Sequence, residues 1–295
     1  MIRTTAVAWV LLAPGLLAAQ EKFDIKLKKR QKGDAVTVAY EEQTTNAMIV
    51  SGADGKVVEK KNQRMLEVAK FREEILEKEP SKRATKLKRT YEKASVTIDG
   101  KAEVFEYSGT AVTIEKAGDG YSFTADGGKV LKGKSAGLLT KEFSGKKSDT
   151  DDVEEKVLPK KPVAVGDTWD VNVKEFLKEL SGEDEVKAFD LDKAKGTGKL
   201  AKAYTKGDQQ FGVLEIDLTA PLVALPGTEF KCEAGSKLQL KLTLDVCIDG
   251  SAEAGNMTGD LKFAGKAKGS QDGMDYGLEF DVSVNRTDKH EPIKK

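Results

Sequence analysis

The chain contains a single histidine, His290, and its position limits the catalytic chemistry that the sequence can support. A general base needs a fixed position and a pKa near the working pH, and histidine meets that need most often. His290 lies in the charged run 288–291, after the last predicted strand, where we expect a solvated tail. We therefore predict no catalytic residue of the Ser–His or Cys–His type.

The two cysteines, Cys232 and Cys247, are too few to build a zinc site. Such a site takes three or four His, Cys or carboxylate ligands, and the chain offers one histidine and no C-x-x-C motif. In an oxidising compartment an isolated pair of cysteines often forms a disulfide, so we favour one between Cys232 and Cys247. Two unpaired thiols are the alternative.

Other motifs for metal, phosphate or acid–base chemistry are incomplete. The acidic segment 149–155 is not an EF-hand loop, because Glu154 stands where that loop needs glycine. Segment 196–199 lacks the first glycine and the closing serine or threonine of a phosphate-binding loop. No spacing singles out a catalytic pair of carboxylates, and Asp190 and Asp192 are interpreted as exposed loop acids. We predict no metal site, no cofactor and no enzymatic activity.

The charge balance argues against nucleic acid as a partner. Lys+Arg and Asp+Glu both count 49, so no net field attracts the chain to a polyanion. Aromatic residues make up only 6% of the chain, which is few for base stacking. The basic run 82–93 is flanked by glutamates, and we interpret it as a solvated strand face.

Residues 1–19 have the layout of a secretory signal peptide. Arg3 precedes an apolar run from 6 to 17, which is broken by Pro14 and Gly15 and followed by Ala18 and Ala19. The run is too short for a stable membrane span, although an N-terminal anchor is the alternative. We expect an exported protein, periplasmic or extracellular, that is soluble after cleavage and has no membrane span in the mature chain.

The remaining sequence predicts a mainly β fold. Every second residue is apolar over 238–248, and the pattern recurs over 276–284 and in shorter runs of both halves. Turn pairs such as Asp249-Gly250 and Asp272-Gly273 separate these runs and favour an antiparallel meander. A short helix is predicted near 173–180. Segment 63–79 fits a helix or a strand, and we favour a strand.

Five regions follow from these patterns: a signal peptide (1–19), an N-terminal β-unit (20–148), a connector (149–168), a C-terminal antiparallel β-unit (169–287) and a disordered tail (288–295). Strands with one apolar face must be covered or must curl on themselves. The sequence therefore predicts a large, curved antiparallel sheet or half-barrel, either as one sheet or as two packed β-units.

One segment resembles a known family. The run 158–169 contains P-x-x-P-V-x-x-G-D-T-W, and the run 87–93 reads LKRTYEK. Both are similar to segments of an uncharacterised, exported, β-rich bacterial family of unknown function. The layout also resembles, in outline only, periplasmic lipoprotein carriers with an open half-barrel. The resemblance implies a β-rich exported fold and carries over no catalytic residue.

In the family-like segment, Pro162 imposes extended backbone, and Gly166 with Asp167 permits a sharp turn. Trp169 can then enter the core. We interpret these four residues as a structural plug at one end of the sheet, with a binding role for Trp169 as the alternative.

Two hypotheses about function remain once the catalytic, metal-binding and phosphate-binding motifs are set aside. The first is a non-enzymatic binding protein of the cell envelope that holds an apolar small molecule, a lipid or an apolar segment of an envelope protein. The second is a structural or interaction protein of the envelope or surface, with a filled core and no ligand.

Overall fold

The structure is a computed structural model that describes residues 20–79, 82–118, 120–144, 156–181 and 185–293. The predicted signal peptide (1–19), part of the connector (149–155) and the last two residues lie outside these ranges.

Strands account for 63% of the structure and helices for 10%, so the prediction of a mainly β protein is confirmed. In the N-terminal half the strands are β1 (Lys22–Phe23), β2 (Ala35–Gly52), β3 (Val57–Lys78), β4 (Ala84–Ile98), β5 (Lys101–Val104), β6 (Ala111–Ala117), β7 (Gly120–Ala125) and β8 (Lys129–Val130). In the C-terminal half they are β9 (Val163–Ala164), β10 (Thr168–Asp170), β11 (Lys195–Lys206), β12 (Gln209–Pro221), β13 (Lys231–Cys232), β14 (Lys237–Cys247), β15 (Gly255–Gln271) and β16 (Met274–Pro292).

In the part of the chain that the structure describes, two α-helices accompany the strands. The helix α2 (Val173–Ser181) confirms the helix that was predicted near 173–180, and the side chain of Asn172 caps its first turn by accepting from the Glu175 amide. The helix α1 (Gly133–Ser144) was not predicted. No helix in the described ranges is both long and apolar enough to cross a bilayer.

One antiparallel sheet of 14 strands contains both halves of the chain. Its order is β10-β11-β12-β14-β15-β16-β2-β3-β4-β6-β7-β8, with β13 added to β15 and β5 added to β4. The strands β1 and β9 form a separate two-stranded sheet. Because β10 and β8 are the two ends of the order, the large sheet is open.

The two halves join where β16, near the end of the chain, pairs with β2, near its beginning. The pairing runs from Tyr276 opposite Gly52 to Pro292 opposite Val36. The prediction of a disordered tail from 288 is therefore wrong for 288–292, which continue β16. The sequence interpretation relied on the charges of these residues, whereas each of residues 288–291 pairs with a residue of β2 in the sheet.

The ambiguous segment 63–79 lies almost entirely in β3, so the interpretation as a strand is confirmed. Its apolar residues alternate in burial, with Ala69, Phe71 and Ile75 buried and Lys70 and Arg72 exposed. The neighbouring strands β2 and β4 pair with β3 on its two sides, and together they shield this face from water.

The sheet is strongly curved. Leu87 of β4 and Leu244 of β14 line the same cleft, although five strand steps separate these strands in the sheet order. In a flat sheet that separation would be roughly 24 Å. The inner face of the sheet must therefore curl until its two flanks face each other.

The two largest apolar clusters of the described residues occupy the inner face, one on each flank. On the N-terminal flank, Leu139 of α1 packs with Ile114 and Phe123. On the C-terminal flank, Leu177 of α2 packs with Ile216 and Leu218. Each helix thus covers one flank of the sheet, and the outer face carries exposed cross-strand ion pairs that add little stability.

Trp169 connects the C-terminal core to a smaller cluster around Leu200 and Leu214. Its indole lies directly on Gly198, its partner on β11, where an added Cβ would stand 2.1 Å from the ring. Only glycine leaves room for this contact.

We predict that Gly198→Ala lowers the free energy of unfolding by about 1–3 kcal/mol, because the methyl group displaces the Trp169 ring. Urea unfolding followed by circular dichroism measures the change. The matched control is Gly277→Ala on β16, where an added Cβ meets no atom within 4 Å. Equal stability of the two variants would contradict the proposed packing.

Candidate functional site

A cleft of about 470 Å³ opens on the inner face of the sheet. Its walls are the two flanks of the sheet, the segment 27–30 that precedes β2, and residues of α1 and α2. This volume is within the range of small-molecule sites in proteins.

The wall formed by β14 and β15 is apolar. Leu242, Leu244 and Val246 point to one side of β14 because alternate residues of a strand share a face, and Met257 faces Leu244 from β15. Leu244 is buried, whereas Leu242, Val246 and Met257 are only half-buried. These side chains therefore present uncovered apolar surface to the cleft.

The opposite wall is charged and is centred on Glu73 of β3. The Glu73 carboxylate accepts from Arg30 Nη1 at 2.5 Å and from Arg89 Nε at 2.6 Å. Arg89 also donates to both carboxylate oxygens of Glu142 on α1, at 2.7 and 2.9 Å. This ion-pair network joins the segment before β2, two strands and a helix.

Aromatic rings enclose the guanidinium of Arg89. Its Cζ lies 4.3 Å from the ring centroid of Phe71 and 5.0 Å from that of Phe143. Cation–π contacts of this kind favour arginine where its charge is buried.

The electrostatics of Glu73 are decided by its two arginines. Burial raises the pKa of Glu73, but the charges and hydrogen bonds of Arg89 and Arg30 outweigh burial and lower the pKa to about 2. Glu73 is therefore ionised at neutral pH, although it is almost fully buried.

His290 extends the network on the β16 side. Its Nδ1 lies 2.9 Å from Glu253 Oε1, and Oε2 of the same carboxylate lies 2.9 Å from Arg30 Nε. Burial lowers the pKa of His290, but the hydrogen bond and charge of Glu253 outweigh it and raise that pKa above its usual value. The expectation that His290 is solvated is therefore wrong, because its side chain lies on the inner face and is only about 35% exposed.

A second polar group occupies the middle of the inner face. Asp288 is nearly fully buried and takes two hydrogen bonds of 2.8 Å from Arg286, which also contacts Glu42. Beside it, the Tyr40 hydroxyl donates to Glu67. Burial raises the pKa of both Tyr40 and Glu67.

This arrangement is suited to holding charges in place. The carboxylates of Glu73 and Asp288 are both occupied by arginines, which leaves neither poised to move a proton. Among the residues that the structure describes, no three His, Cys, Asp or Glu side chains converge as metal ligands do.

The four residues of the family-like segment lie outside the cleft lining. Gly166 has a φ of +94°, and the Asp167 carboxylate accepts from the Ala164 amide at 2.9 Å, so a sharp turn forms as predicted. Pro162 is exposed just before β9. Trp169 donates from its indole to the carbonyl of Val157 at 2.8 Å, and Val157 itself lines the cleft. Trp169 therefore helps to position Val157, although Trp169 itself does not line the cleft.

The disulfide that was favoured from sequence is absent, since both cysteines are free thiols. Cys232 sits opposite Ala267 of β15, whereas Cys247 follows Val246, which is opposite Gly255. Twelve residues of strand correspond to roughly 40 Å, whereas the Cα atoms of a disulfide lie within about 7 Å. The compartment argument could not reveal this separation.

The charged wall was not predicted, although the sequence holds a signal for it. Glu73 has the same strand parity as Phe71 and Ile75, and Arg89 has the same parity as Leu87 and Tyr91. A charged residue in the apolar phase of an alternating strand indicates a buried ion pair. The basic run 82–93 is accordingly a solvated face only at alternate positions, because Arg89 is buried.

Three solved structures are similar to this chain at low sequence identity. Lipovitellin, from a structure concerned with its lipid–protein interactions, is 7% identical with a TM-score of 0.35; the match covers 90% of this chain but only 26% of lipovitellin. An outer membrane channel from Pseudomonas putida F1 is 9% identical with a TM-score of 0.20, over 90% of this chain and 97% of the channel. A DUF1329 family protein from Desulfovibrio piger is 8% identical with a TM-score of 0.12, over 83% of each chain. Likenesses with TM-scores below 0.5 support no inference about function.

No protein-family model matches the chain, and no curated protein is significantly similar to it. The family resemblance carried by segment 158–169 therefore stays a prediction.

We predict that Glu73→Gln lowers the free energy of unfolding by about 3 kcal/mol, because the buried Arg89 and the half-buried Arg30 both lose their shared carboxylate. The matched control is Glu92→Gln, which removes an exposed pair with Lys70 and should cost less than about 1 kcal/mol. Urea unfolding at neutral pH measures both, and similar losses would contradict a buried network.

The contribution of His290 should depend on pH in a defined direction. Its pKa is raised on folding, so its stabilising contact with Glu253 is fully present below the unfolded pKa of about 6.5 and is lost as pH rises through the folded value. The difference in urea midpoint between the native protein and His290→Gln should therefore be larger at about pH 5.5 than at about pH 9. Glu253→Gln should abolish this pH dependence, and a difference that grows with pH would contradict the assignment.

Proposed function

We propose that this protein acts by binding, and that it holds an elongated apolar molecule such as an acyl chain in the cleft on the inner face of its sheet. The observation that carries the proposal is the half-buried apolar wall formed by Leu242, Val246 and Met257. The described parts of the chain leave this wall open to the cleft. A ligand that covers this wall removes apolar surface from water, which favours binding by about 25 cal/mol for each Å² buried.

The open sheet supports this proposal. Helices α1 and α2 each cover one flank of the sheet, and the region between them is uncovered. This region leaves room for a ligand along the inner face. The charged wall supports it as well, because its part-buried ion pairs fix the segment 27–30 and helix α1 against the sheet. A preorganised cleft loses less entropy when it binds.

We place this role outside the cytoplasm. The signal-peptide layout of residues 1–19 supports export, and the two free thiols are compatible with it because each lies far from the other. The partner would then be a lipid or another apolar molecule of the envelope.

A second function is supported by another feature of the sheet. Val57 and Val58 in the β2–β3 hairpin and Met274 in the adjacent β15–β16 hairpin are exposed at 61%, 66% and 57%. Exposed apolar side chains of neighbouring hairpins favour an interaction protein that meets a partner at this end of the sheet.

A large side chain placed in the cleft distinguishes between the two proposed functions. We predict that Met257→Trp weakens binding of the neutral apolar dye N-phenylnaphthylamine by about tenfold or more, because the indole occupies the space of the ligand. Fluorescence titration measures the dissociation constant. The matched control is Thr258→Trp, which adds the same ring to the exposed outer face of β15.

A urea midpoint close to that of the native protein verifies that Met257→Trp is folded, and Val246→Trp provides a second position on the same wall. No dye binding by the native protein, or equal binding by Met257→Trp and Thr258→Trp, would reject the cleft as the site. A loss of binding in Val57→Ser instead would favour the hairpin end.

A further inference from the structure

The charges that line the cleft carry information about the ligand beyond its apolar part. Among the residues that the structure describes, three acidic ones line the cleft: Glu73, Glu142 and Glu253. All three are already engaged, by Arg30, Arg89 or His290. None of these carboxylates is therefore available to a cationic ligand.

The network comes close to neutrality by itself. The two arginines, Arg30 and Arg89, balance two of the three carboxylates, and His290 balances the third when it is protonated. The ion pairs inside the wall thus contribute little net field to the cleft.

The other charged residues of the lining are all basic: Lys28, Lys29, Lys78 and Arg83. Lys28 lies 3.9 Å from Asp34, and Lys29 and Lys78 have interaction partners of their own, so these three charges are at least partly balanced. The basic residue from which an anion in the cleft gains most is therefore Arg83.

Arg83 is the basic residue best placed to meet a ligand. It lies immediately before β4, is half-buried, and forms no ion pair or hydrogen bond with any residue in the described ranges. A guanidinium that is shielded from water normally pairs with a carboxylate, as Arg30 and Arg89 pair with Glu73 at 2.5 and 2.6 Å. Ala84 and Leu87, which follow Arg83 in sequence, are apolar and line the same cleft, so a charged and an apolar part of the lining meet at the start of β4.

We infer that the cleft takes an anionic amphiphile, whose single acyl chain lies on the β14–β15 wall and whose carboxylate or phosphate headgroup is bound by Arg83 with the support of Lys28. This inference rests on the proposed function, because it names the class of ligand for that same cleft. A planar guanidinium binds both carboxylate and phosphate through paired hydrogen bonds, which is why the two headgroups share one site chemistry.

The experiment compares three single-chain ligands of equal chain length: a fatty acid, a lysophosphatidic acid and a neutral monoacylglycerol. Each displaces N-phenylnaphthylamine from the full chain at neutral pH, below its own micelle concentration. We expect both anions, or one of them, to bind roughly 3- to 10-fold more tightly than the neutral lipid, as one partly exposed charged contact would give. The stronger of the two anions identifies the headgroup.

The matched variants are Arg83→Gln in the cleft and Arg72→Gln on the outer face of β3, where the arginine is 52% exposed. Arg83→Gln should reduce the preference for the anion to nearly one, whereas Arg72→Gln should leave it unchanged. Lys28→Gln provides a second variant with a smaller effect in the same direction. Raising the ionic strength from about 0.05 to 0.5 M should also reduce the preference, because salt screens the contact.

Equal affinity of the native protein for the anionic and neutral lipids would overturn the inference but leave the apolar cleft intact. An unchanged preference in Arg83→Gln would overturn the assignment of Arg83. Failure of all three lipids to displace the dye would overturn the proposed function together with this inference.

Discussion

The pairing of β16 with β2 is the interaction on which the rest of this structure depends. It joins strands from the two ends of the chain and turns two β-rich halves into one sheet. Without it, each half would expose a long strand edge, which is a hazard for aggregation. With it, the sheet is continuous enough to curl until β4 and β14 face each other across the cleft.

Charged side chains on the inner face explain how that pairing keeps its register. A slip of one residue would turn every inner side chain outwards. In the observed register Asp288 and Arg286 lie beside Tyr40 and Glu42 on β2, and a slip would separate these groups. Removing charges from water costs free energy, so such pairs are weak evidence for stability but can specify one arrangement. The Glu73 network plays the corresponding part between β3, β4 and helix α1.

The sequence predicted what depends on local periodicity. Alternation over 238–248 identified β14 and its apolar side, and the residues after Trp169 identified helix α2. Helix α1 was missed because Gly133 and Gly137 lower its helix propensity and little of its length is apolar. The choice between one sheet and two was beyond periodicity, since alternation does not reveal which distant strand a given strand pairs with.

The candidate site was missed for the same reason. Arg30 and Glu73 are 43 positions apart and Arg89 and Glu142 are 53 apart, so their meeting depends on the register of the sheet. His290 was judged by the charges around it in sequence, whereas its environment is set by Glu253 on the facing loop. The sequence does show one signal of the site: a charged residue at a position where the alternation of the strand calls for an apolar one, such as Glu73 between Phe71 and Ile75.

The proposed site for an acyl chain runs along β14 and β15 on the inner face of the sheet. A spin-labelled fatty acid, added to the isotope-labelled protein, tests this most directly through paramagnetic broadening of backbone amide signals. We expect selective broadening over 242–246 and 255–259, with little effect on the hairpins around 52–58 and 272–276. Uniform weak broadening, or broadening confined to those hairpins, would contradict it.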